Sequence, residues 1–130
     1  MDQGPMVSER IAAGERFLRE FDKKYPIEIA YWLKKPAGRW YLYIASQKLT
    51  DTSIHDSYSE IGRITDAMKS PYVDPFQVKP RKLTDPTVQR ALEVQRWNDP
   101  PIGYVFFPEQ FGDLEVEGAY IYAPLGAAAA

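Results

Sequence analysis

The chain has 130 residues, 45% hydrophobic and 26% charged, with a formal net charge of −2, a length that suits one domain with room for a sizeable core. It contains no cysteine, which excludes disulfide staples, thiolate metal ligands and a cysteine nucleophile. The acidic balance disfavours a protein whose main work is gripping phosphate backbones, yet five of the 18 acids and none of the 16 bases follow Arg96, which leaves residues 1–96 net basic.

Met1 to Pro5 lack the basic-then-apolar layout of a secretory signal, and no apolar run is long enough to span a bilayer. The sequence therefore points to the cytoplasm and to no membrane association. Ser8 precedes a segment in which Ile11, Phe17, Leu18, Phe21 and Tyr25 fall near one side of a helical wheel, so a helix capped by Ser8 and closed by Pro26 is expected. Gly14 inside it costs about 1 kcal/mol relative to alanine. Either a neighbour packs closely there or the helix is locally weak.

Ile27 to Lys34 and Arg39 to Ser46 are rich in β-branched and aromatic residues at a period of two, the pattern of a β-hairpin. Its turn, Lys35-Pro36-Ala37-Gly38, has Pro36 to preset φ and Gly38 to accept a positive φ. A four-residue connection sets Lys34 opposite Arg39, Leu33 opposite Trp40, Tyr31 opposite Leu42 and Ile29 opposite Ile44. That register gathers the aliphatics on one side. The other side then carries Trp32, Tyr41 and Tyr43 bordered by Lys34 and Arg39.

Thr50 to Ser53 offer several caps for a second helix, in which Ile54, Tyr58, Ile61, Ile64 and Met68 repeat at helical spacing. Ser57 with Glu60 has capping-box spacing, which would start this helix later, and Pro71 ends it. Pro75 to Lys79 reads as a short strand whose flanking prolines favour a sheet edge or a short central contact. Asp85 caps a third helix with Pro86 in its first turn; Val88, Ala91, Leu92 and Gln95 mark its inner side, and Asn98-Asp99-Pro100-Pro101 stops it. Ile102 to Phe107 and Ala119 to Ala123 are two further strands. Between them, Pro108 to Gly118 is an ordered loop or a short extra strand.

The expected fold is α+β, with a mostly antiparallel five-stranded sheet, covered on one face, and three helices in the order α-β-β-α-β-α-β-β. Residues 1–125 make a single domain, and residues 126–130 are expected to be a disordered tail or an expression remnant. Arg39 to Ser46, Asp74 to Lys79 and Gly118 to Tyr122 together resemble a set of small hypothetical bacterial α+β proteins. The resemblance spans most of the chain and implies no activity.

No phosphate loop, nucleophile elbow or histidine pair at metal spacing is present. The function expected is a non-catalytic interaction module, binding a protein partner or a second copy through Trp32, Lys34, Arg39, Tyr41 and Tyr43, without a cofactor. The alternative is single-stranded nucleic acid stacked on the same rings, with Lys79, Arg81 and Lys82 on its phosphates, a reading the charge balance disfavours. A weaker alternative is a metal-dependent hydrolase: Asp113, Glu115 and Glu117 alternate and could share a divalent cation, with His55 as ligand or base.

Overall fold

The computed structural model describes residues 8–97 and 103–125. The expected stop at Asn98 to Pro101 and the expected tail at 126–130 lie outside the described residues. Helices α1 (Ser8–Asp22), α2 (Ile54–Met68) and α3 (Pro86–Arg96) accompany a five-stranded sheet of β1 (Ile29–Lys34), β2 (Trp40–Ala45), β3 (Val78–Arg81), β4 (Tyr104–Phe106) and β7 (Gly118–Ile121). The loop before β7 folds into a small hairpin of β5 (Gln110–Phe111) and β6 (Leu114–Glu115). In space the strand order is β3-β2-β1-β7-β4. Neighbours are antiparallel except β2 and β3, which run parallel, so the sheet is mixed.

The β1–β2 hairpin forms one residue out of the expected register. Lys34 faces Trp40, Leu33 faces Tyr41, Trp32 faces Leu42 and Tyr31 faces Tyr43. The turn is the cause: Gly38 N–H donates to the Lys35 carbonyl at 2.9 Å, and Ala37, not Gly38, takes the positive φ, 53°. Arg39 stays in the connection, so every pair shifts by one. This register divides the aliphatics between the two faces, contrary to expectation. It is stable because the sheet is covered on both faces rather than one, and all six residues of β1 are buried. A strand enclosed on both sides has no solvent face to keep polar, and its period-two pattern carries no register information.

On one face Ala30, Trp32, Trp40, Leu42, Ile44 and Val78 pack against Phe17, Leu18 and Phe21 of α1 and Ile61 and Ile64 of α2. On the other, Ile29, Tyr31, Leu33, Tyr43 and Ile121 meet Val88, Ala91 and Val94 of α3, together with Phe111 from the small hairpin. Fully burying each such side chain contributes roughly 1.5 to 3 kcal/mol. The start of α3 is as the sequence requires: the Asp85 carboxylate accepts from Thr87 N–H at 2.9 Å, with Pro86 in the first turn. The capping box at Ser57 and Glu60 does not form. Helix α2 begins at Ile54, Ser57 donates to the Ile54 carbonyl within it, and Glu60 pairs with Arg63 at 2.6 Å.

β3 lies at a sheet edge, where the missing N–H of Pro80 is tolerated. It begins at Val78, later than the sequence suggests. Asp74 folds the preceding residues into a turn instead, its carboxylate accepting from Phe76 N–H at 2.8 Å and Gln77 N–H at 3.0 Å. The Gln77 side chain then clips the turn to β2 by donating to the Trp40 carbonyl at 3.1 Å.

Candidate functional site

The five residues expected to share one outer face do not share it. Trp32 points toward α1, is fully buried, and donates from Nε1 to the Tyr122 hydroxyl at 2.9 Å. Tyr41 and Tyr43 point to the opposite face, as alternation across the shifted register demands. Lys34 is buried and paired with Glu117 at 2.7 Å, and Arg39 pairs with Asp74 at 3.0 Å. The indole and the two phenols therefore belong to two different layers of the molecule.

What the parallel β2–β3 pairing assembles is a different cluster. Because Tyr43 stands opposite Lys79 and Ala45 opposite Arg81, the cations of the edge strand lie beside the rings of β2. Lys35, from the hairpin turn, and Lys79 each place their ammonium 5.3 Å from the Tyr41 ring centre. Arg81 lies 5.3 Å from the Tyr43 ring, and Tyr43 stacks on Tyr31 at 5.4 Å with an interplanar angle of 3°. Two rows result: Lys35–Tyr41–Lys79 and Tyr31–Tyr43–Arg81. Each cation is within reach of a ring quadrupole, an attraction worth about 0.5 to 1 kcal/mol at an exposed site.

These cations are poorly neutralised. Lys35 and Lys79 make no ion pair among the described residues, and Arg81 reaches Asp85 only at 3.6 Å. Partial burial, then the charges of Arg81 and Lys35, push the Lys79 ammonium below the ordinary lysine range. Burial pushes the Tyr43 phenol up, a shift that Arg81 opposes. Along the same edge Phe76 is 80% exposed and Tyr58 48% exposed. With Pro75, Val78 and Lys79 they line a cleft of about 310 Å³. The edge thus offers apolar area, rings flanked by cations, and two ammonium groups, Lys35 and Lys79, without an ion pair among the described residues.

Of the residues expected on nucleic-acid phosphates, Lys79 and Arg81 join this cluster, whereas Lys82 is engaged by Asp51 at 2.6 Å. Asp113 lies in the exposed turn between β5 and β6, Glu115 is exposed on β6, and Glu117 is held by Lys34 and by the Ala37 N–H. His55 is exposed at the start of α2. No group of three or more His, Asp or Glu side chains among the described residues is placed to hold a metal ion, so these four do not converge. Lys35, Tyr58 and Phe76 are the members that sequence reasoning missed. The Asp74-Pro75 turn signal was the available clue to Phe76, since it argues against a strand at that point.

Among the described residues no helix is long and apolar enough to cross a membrane. No protein-family model, curated protein or solved structure matches the chain.

Proposed function

We propose that the protein is a non-catalytic interaction module that takes an acidic segment of a partner protein on the β3 edge. The observation that carries this reading is the Lys35–Tyr41–Lys79 row, two ammonium groups sharing one phenol ring, neither of them in an ion pair among the described residues. A partner carboxylate there gains charge attraction and relieves the repulsion among Lys35, Lys79 and Arg81. Phe76 and Tyr58 supply the apolar anchors that interfaces use.

The same geometry disfavours the nucleic-acid reading. Tyr43 is buried, with Tyr31 stacked on it and Arg81 5.3 Å from its ring centre, and Tyr41 has Lys35 and Lys79 each 5.3 Å from its own, so both rings are already engaged. A second copy of the chain is one candidate partner, because the exposed Glu109, Asp113 and Glu115 form an acidic surface segment.

Fluorescence anisotropy separates these readings, with a labelled Glu-rich peptide carrying one Phe as the first probe and an oligo-dT strand as the second. The peptide is expected to bind at low salt and weaken as salt rises. Lys35→Glu with Lys79→Glu should weaken it roughly tenfold or more. Tighter binding of oligo-dT than of the peptide would favour nucleic acid, and no binding of either would contradict the proposal. Sedimentation over a concentration series reports whether a second copy fills the role.

A further inference from the structure

On the other side of the sheet from Tyr41 and Tyr43, helices α1 and α2 leave a cleft of about 410 Å³ between them, lined by Arg16, Arg19, Glu20, Arg63, Ile64 and Met68 along with Ala67. Its size lies within the range of small-molecule sites. The floor is apolar, from Ile64, Ala67 and Met68. Three guanidinium groups surround it, against a single carboxylate, Glu20, which is already paired with Lys23 at 2.9 Å.

The three arginines are not equivalent. Arg19 is held by Glu15 at 2.8 Å and Arg63 by Glu60 at 2.6 Å, both within their own helices. Arg16 is exposed and makes no ion pair among the described residues. The cleft therefore combines an anchored basic rim, one guanidinium free to close on an anion, and an apolar floor. A guanidinium fork matches a carboxylate in two parallel hydrogen bonds.

We propose that the α1–α2 cleft is a binding site for a free medium-chain alkyl carboxylate, its head on Arg16 with Arg63 alongside and its chain over Ile64, Ala67 and Met68. This site is independent of the β3 edge. It would make the module responsive to a small amphiphilic acid.

The test is an NMR titration of the full chain with sodium octanoate, read at the methyl groups of Ile64, Ala67 and Met68. Saturable shifts confined to those methyls are expected, with hexanoate binding roughly tenfold more weakly for its two missing methylenes. Octan-1-ol, which keeps the chain and lacks the charge, is expected to bind at least roughly tenfold more weakly than octanoate. Arg16→Glu removes the head contact and Ala67→Trp fills the floor. Both positions are exposed, so both variants should keep the wild-type melting temperature within about 2 °C while losing octanoate binding. Absent or scattered shifts, equal binding of the alcohol, or unchanged binding by both variants would each overturn the proposal. So would binding of anionic phosphatidylglycerol vesicles without binding of free octanoate, which would assign the arginines to a membrane surface.

Discussion

Trp32 and Tyr122 are joined by a buried hydrogen bond of 2.9 Å from indole nitrogen to phenol oxygen, and the same phenol donates to the Ile11 carbonyl of α1 at 2.7 Å. One hydroxyl thus ties β1, the segment after β7 and the first helix together. Gly14 is the reason it fits. A methyl group at that position would overlap the Tyr122 hydroxyl and come within 3.1 Å of Trp32 Nε1. The glycine that looked like a weak point in the helix is a close-packing site.

Gly14→Ala should therefore destabilise the protein by about 1 to 3 kcal/mol through overpacking, although alanine is the better helix former. Gly62 in α2 is the control, because a methyl there meets nothing within 4 Å. Gly62→Ala should stabilise by about 1 kcal/mol. Urea unfolding of the two variants reads both signs.

Tyr122→Phe keeps the ring and removes the hydroxyl, leaving the Trp32 indole N–H buried without its acceptor. A loss of about 1 to 3 kcal/mol is expected. Trp32 fluorescence should also change, since its polar neighbour is gone.

Ala37 holds a left-handed conformation, φ 53°, at an exposed position in the hairpin turn. Replacing it with glycine removes a conformational cost of about 1 to 2 kcal/mol and adds part of it back as unfolded-state entropy. A net gain of roughly 0.5 to 1 kcal/mol is expected for Ala37→Gly. A loss would mean that the turn is not the one described.

Two pH limbs follow from the ionisable groups. The hydrogen bond from Lys34, followed by that from the Ala37 N–H, holds the Glu117 carboxyl below the usual glutamate value of 4.5. A carboxyl depressed in the folded state contributes stability above its unfolded pKa and loses it as pH falls through the folded one. Stability should thus decline below about pH 4.5, less steeply in Glu117→Gln. Burial drives the Tyr31 phenol far above its ordinary value of 10.0, outweighing its hydrogen bond with Thr87. A group raised on folding contributes below its unfolded pKa and loses that contribution as pH rises beyond it. Alkaline unfolding should set in above about pH 10 and move to higher pH in Tyr31→Phe. Circular dichroism at fixed temperature follows both limbs.

The helices and the strand sequence were legible because local patterns suffice for them. The stripe from Ile54 to Met68 delivers α2, and Asp85-Pro86 marks the start of α3. The hairpin register was not legible. Ile29 to Lys34 is a run of apolar residues with little polar alternation, and only the coverage of both faces explains why Trp32 and Tyr31 are both buried. Nor does any local signal choose Ala37 over Gly38 for the positive φ. The candidate site depends on a nonlocal event, the parallel docking of β3 on β2 after the α2 crossover. Lys79 and Arg81 were recognisable as cations near a sheet, but their alignment with Tyr41 and Tyr43 exists only once that docking is made.

Lys79 itself provides the sharpest test of the binding proposal, through the titration of its Nζ by side-chain NMR with and without the Glu-rich peptide. In the free protein the ammonium should titrate below ordinary lysine, because it is partly buried and faces Arg81 and Lys35. Its pKa should rise when peptide carboxylates occupy the edge, because the added negative charge favours the ammonium form. A Lys79 titration untouched by saturating peptide would contradict the binding proposal.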